Sequence, residues 1–162
     1  MAVHRCGLQL AALLCLSANS FAIPAELRQD LEHPQIVRID KSVARLPPQL
    51  KESLQRIFKQ RKLSIADPGK PFRDTDFVIN AEMGKLPTRR LSLAFSTPRF
   101  YYVYYRSGGY GTAGNLLAFT RGNGTYEFVW GGVEFAKDPS TPQEVSKRVR
   151  QNSFDDSKRF EW

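Results

Sequence analysis

Three groups of residues in this chain have the types and spacing to do chemistry. Gly109, Gly111 and Gly114 fit G-x-G-x-x-G, the spacing that cradles a dinucleotide pyrophosphate. Asp74 and Asp76, two apart, and Asp155 and Asp156, adjacent, are candidate paired carboxylates for general acid–base work. The stretch Arg99 to Arg106 carries five aromatic residues between two arginines, the ingredients for stacking on a ring and pairing with an anion.

Each group has a bland reading. The glycine motif holds phosphate only where a strand leads in and a helix leads out. Here Asn115 to Phe119 follows, which reads as another strand, so the run is expected to be a hairpin loop. Asp74 sits beside Arg73 in turn-like sequence, and Asp74 and Asp76 read as solvated turn charges. A hydrolase built on carboxylates would draw on Asp76 with Glu82 or Glu127. His33, beside Pro34, stands without a G-x-S-x-G elbow to form a triad. No D-x-D-x-D-G calcium loop occurs, and no cofactor or metal is indicated.

The aromatic strand is more informative. Period-two geometry puts Phe100, Tyr102 and Tyr104 on one face and Tyr101, Val103 and Tyr105 on the other. An aromatic central strand is ordinary core material. If only one helix covers the sheet, one tyrosine face needs a second cover: the short C-terminal helix, a partner, a ligand or solvent. The binding surface expected on that basis comprises Arg89, Arg90, Arg99, Tyr101, Tyr105, Arg106, Tyr110 and Arg121.

The elements that must position these residues are legible as patterns. Leu46, Leu50, Leu54, Ile57 and Phe58 recur at helical spacing behind Pro47 and Pro48, predicting a main helix over about 47–62. From residue 75 the period changes to two, through 77–79, 91–95, 99–106, 116–120 and 125–130. Gly122 to Gly124 gives a hairpin signal, and a bulge is expected at Gly131–Gly132. Thr141 to Glu144 resembles a capping box opening a short C-terminal helix. With a short strand at Ile36 to Ile39, the expected fold class is α+β: an antiparallel meander of about five strands with the main helix on one face.

Residues 1–22 read as a cleaved signal peptide: Arg5, an apolar run from Leu8 to Leu16, and Ser20-Phe21-Ala22 before the cut. That run, about nine residues, is too short to span a bilayer. Residues 23–34 are expected as a flexible lead-in, 35–150 as one α+β domain and 151–162 as a polar tail. Cleavage removes Cys6 and Cys15, leaving no thiol nucleophile or disulfide, and leaves 23 bases against 16 acids.

The whole chain has 162 residues, a formal charge of +8 and 25% charged residues. Such a balance favours anionic partners. The expectation is an exported, periplasmic or secreted, non-enzymatic module that binds an acidic protein or an anionic envelope polymer, with an inhibitor or immunity role among its forms. Export and the lack of a recognition motif argue against nucleic acid. The alternatives are the carboxylate hydrolase and a structural subunit whose tyrosine face self-associates as a homodimer.

Overall fold

The computed structural model describes residues 23–155 apart from 79, 110 and 123; the expected signal peptide, Tyr110 and Asp156 therefore lie outside the described residues. Five strands form one antiparallel sheet in chain order: β1 (Arg38–Asp40), β2 (Arg89–Ser96), β3 (Phe100–Ser107), β4 (Ala113–Gly122) and β5 (Thr125–Glu134). This is the α+β meander expected from the alternating pattern. The glycine run is a hairpin connection: Ser107 pairs with Ala113, and strand follows it. Two of its glycines are required by crowding. A Cβ on Gly114 would lie 1.8 Å from the Tyr104 hydroxyl, and one on Gly108 would lie 2.1 Å from the Arg73 carbonyl oxygen.

Helices cover both faces. α1 (Ala25–Glu32) and α4 (Pro142–Arg150) lie on the face of Phe100, Tyr102 and Tyr104, burying Leu27, Leu31, Val145 and Val149. α2 (Pro48–Ile57) lies on the face of Tyr101, Val103 and Tyr105, burying Leu50 and Leu54 beside Leu46 and Phe58. Each fully buried leucine contributes about 1.5–3 kcal/mol through lost apolar exposure. α3 (Ala81–Lys85) is a short turn of helix in the long connection before β2, capped by the Asn80 carboxamide, which accepts from the Met83 amide at 2.8 Å.

The helix ends show why they stop. Thr141 Oγ1 accepts from the Glu144 amide at 3.2 Å, the expected N-cap. The Glu144 carboxylate reaches back to the Ser140 amide at 2.8 Å, one residue earlier than in the standard capping box. α2 ends in a Schellman motif: the Gln60 amide donates to the Gln55 carbonyl and the Lys59 amide to the Arg56 carbonyl. Lys59 occupies the left-handed position, at φ 51°. α4 ends the same way with Asn152, at φ 52°.

Four local expectations are corrected. Residues 23–34 are not a loose lead-in, because α1 places Leu27 and Leu31 in the core. The main helix stops at Ile57, where the Schellman turn begins, rather than running to 62. Residues 77 and 78 form no strand: the outer edge of β2, which they precede in the chain, is taken by β1 and by Ala66, which bridges to Arg90. The β5 bulge falls at Val129, since Ala118 pairs with Trp130 and Phe119 with Phe128. Gly131 and Gly132 stay in register.

Candidate binding surface

The tyrosines of β3 face inward. Tyr101 and Tyr105 are each only 2% exposed. The Tyr101 hydroxyl donates to the buried Asp40 carboxylate at 2.5 Å, and Arg38 closes on that carboxylate at 2.7 Å. Tyr105 packs edge-on against Phe58, at 5.2 Å between ring centroids, with its hydroxyl against Arg89. On the other face Tyr102 donates to Asp30 at 2.6 Å and Tyr104 to Glu134 at 2.9 Å. Burial pushes all four phenols well above their ordinary value, and carboxylate partners add to it for Tyr101, Tyr102 and Tyr104. Tyr101 and Tyr105 therefore cannot form an open binding or dimerisation face, because α2 covers them.

The arginines separate to opposite ends of the sheet. Arg90 and Arg106 are cross-strand neighbours, two like charges directly opposed. Asp138 joins them: Arg106 Nε lies 2.6 Å from one carboxylate oxygen and Arg90 3.3 Å from the other, with Ser92 Oγ donating at 2.8 Å. Arg106 also donates to the Ala136 carbonyl at 2.9 Å, and Arg148 pairs with Glu134. Three arginines thus clasp the connection from β5 to α4, a structural employment. Arg89 stacks over Phe58, 4.2 Å from the ring centroid. Arg99 and Arg121 lie at the far end of β3, seven residues and about 23 Å from Arg106 at strand rise. There Arg99 pairs with Glu26 at 2.6 Å, and Arg121 is exposed. The seven described residues of the expected set make no single surface.

The carboxylate candidates are likewise apart. Asp76 lies beside Gly109, at the loop end of the β3–β4 hairpin, whereas Glu127 pairs with Thr120 toward the opposite end of the sheet. Glu82 is exposed in the first turn of α3. His33 lines a groove of about 360 Å³ with Glu26, Gln29, Asp30, Gln35, Pro98 and Arg99, where the charges are mixed and Arg99 is already paired. Among the described residues no three His, Cys, Asp or Glu side chains gather as a metal site, and no helix is long and apolar enough to cross a membrane.

The surface that stands out lies over α2. A shallow groove of about 470 Å³ is lined by Glu52, Gln55, Arg56, Lys59, Gln60 and Arg61. The segment 41–62 that builds this layer carries seven bases (Lys41, Arg45, Lys51, Arg56, Lys59, Arg61 and Lys62) against one acid, Glu52. That is a formal +6 of the chain's +8. Among the described residues no acidic side chain pairs with any of the seven; Lys51 donates to the Ala44 carbonyl and Arg56 to Ser53 Oγ. The ion pairs of the described residues join Glu26, Glu32, Asp40, Glu134 and Asp138 to arginines outside the 41–62 segment, which leaves the charge of α2 uncompensated.

Lys59 adds a second observation. A β-carbon in the left-handed region costs about 1–2 kcal/mol, and glycine is the usual occupant of this helix-end position. A strained lysine therefore stands on the groove wall where a relaxed residue would serve the turn equally well. The groove offers guanidinium and ammonium donors for an anion and a single carboxylate, no acid–base pair. The helical spacing already places Lys51, Glu52, Gln55, Arg56, Lys59 and Gln60 on the outer face of the main helix. Counting charge by segment would have singled that face out. No family model, curated protein or solved structure matches the chain.

Proposed function

We propose that this chain is a non-catalytic binding module whose α2 layer engages an anionic partner, an acidic protein or an anionic envelope polymer. The observation that carries this reading is the gathering of seven bases on one segment of one layer, none with an ion-pair partner among the described residues. The strained Lys59 on the groove wall supports it. On the export route expected from residues 1–22, the partner lies outside the cytoplasm. An inhibitor or immunity role requires a target whose cleft is acidic, since a basic target would be repelled at long range.

The test is calorimetric titration of the purified protein with polyglutamate and with a sulfated polysaccharide, at low and high salt. Binding that weakens as salt rises is expected. The triple variant Arg56→Gln, Lys59→Gln, Arg61→Gln removes three exposed charges worth about 0.5 kcal/mol each, so affinity falls about tenfold. Arg90→Gln, whose guanidinium belongs to the Asp138 clasp, leaves affinity unchanged. A triple variant with unaltered affinity and salt dependence rejects the α2 groove.

A further inference from the structure

The long connection between Ala66 and β2 contains a feature the proposed function does not use. The Arg73 amide donates to the Pro87 carbonyl at 2.8 Å, closing residues 73–87 into a loop whose ends touch. Its base is seated on the β3–β4 hairpin. The Gly108 amide donates to the Thr88 carbonyl at 2.9 Å, Thr75 bridges to Gly109, and Gly108 lies so close to Arg73 and Asp74 that no side chain fits between. Compact loops with touching ends, held on a rigid base, are frequently functional. At the tip Phe77 is 74% exposed and Val78 49%. From residue 74 to 82 the sequence holds Asp74, Asp76 and Glu82 and no base, and all three acids are exposed.

The loop as a whole carries three acids against Arg73 and Lys85, and an exposed aromatic tip flanked in sequence by those acids is matched to an apolar seat with a basic rim. A lipid surface is the wrong partner, because anionic headgroups repel the acids. The α2 groove has the complementary chemistry: Arg56, Lys59 and Arg61 supply the basic rim, and their aliphatic stems supply apolar wall. From this complementarity we infer that the occupant of the α2 groove is the 73–87 loop of a second copy of this chain, in head-to-tail association. The inference rests on the anion-binding reading of that groove and gives its partner an identity. Loop and groove are different patches, so the contact is heterologous: in a pair, one copy keeps a free groove and the other a free loop, and further copies can add at either end.

The test is sedimentation velocity of the full protein over a range of concentrations at low and high salt. Two variants are measured alone and mixed: Phe77→Asp, with an inactive loop, and Arg56→Glu with Arg61→Glu, with an inactive groove. All three positions line exposed surface, and circular dichroism verifies the fold; Val78→Asp is the second loop variant. Wild type is expected to associate with concentration, past the dimer, and to dissociate in high salt. Each variant alone is monomeric, with association weakened at least tenfold. Mixed, they form a 1:1 dimer and nothing larger, because one intact loop meets one intact groove. Monomeric wild type, association that survives both loop variants, or variants that stay monomeric when mixed each overturn the inference. Wild type that is monomeric yet binds polyglutamate removes this inference alone; failure to bind polyglutamate as well removes the anion-binding reading with it.

Discussion

Raising the pH tests the buried tyrosine layer directly. Tyr101, Tyr102, Tyr104 and Tyr105 are held protonated in the folded chain, by burial first and, for the first three, by hydrogen bonds to carboxylates. In the unfolded chain a tyrosine ionises near pH 10. A group whose folded value is raised keeps its stabilising effect below the unfolded value and loses it as pH climbs above. Each suppressed ionisation then costs the native state about 1 kcal/mol at pH 11 and about 3 kcal/mol at pH 12. Four together cost about 6 and then about 11 kcal/mol, against about 7–20 kcal/mol for a domain of this size. The expected outcome is cooperative alkaline unfolding between about pH 11 and 12, with stability falling by about four protons' worth per pH unit. Phenolate absorbance and far-ultraviolet circular dichroism, followed together, should change in one step. Tyr102→Phe should lower that slope from about four protons to about three. Gradual ionisation of the buried tyrosines near pH 10 with the dichroism intact would refute the reasoning.

Other substitutions address other parts of the fold. Lys59→Gly relieves the left-handed strain but adds unfolded-state freedom; the net gain is about 0.5–1 kcal/mol, read as a rise of about 2–4 °C in Tm, while polyglutamate affinity drops. Asp138→Asn removes the charge between Arg90 and Arg106 and should cost about 2–3 kcal/mol in urea unfolding without altering polyglutamate binding. Leu31→Ala should cost about 2–5 kcal/mol, a loss that a solvated lead-in would not show.

What was legible in the sequence were patterns that a segment settles by itself. The alternation from Phe100 to Tyr105 divides the strand between two cores as the period requires, and Thr141 with Glu144 caps α4 by local chemistry. What was not legible depended on distant partners. α1 has two buried leucines in eight residues, too faint a signal until the sheet face above it is known to need cover. Residues 77–79 alternate like a strand, but only the tertiary structure shows that the outer edge of β2 is taken. Arginines near tyrosines in sequence read as one surface, yet strand length separates Arg106 from Arg99, and Asp138, 32 residues beyond Arg106, takes that arginine into the clasp. The basic groove was hidden because charge was averaged over the whole chain.

The two ends of the described chain meet over the Tyr102 face. Arg28 reaches the Val149 carbonyl at 3.4 Å and Asn152 at 2.9 Å, and Arg150 reaches the Glu32 carbonyl at 2.8 Å. The meander itself forms from neighbours in sequence, which favours fast assembly. The α1–α4 seam spans more than a hundred residues and must wait for the largest loop in the molecule to close. During synthesis one core can condense beneath α2 while the opposite face stays open until α4 has emerged. Folding is completed where α1 meets α4, and the nascent protein remains unlatched until α4 is released.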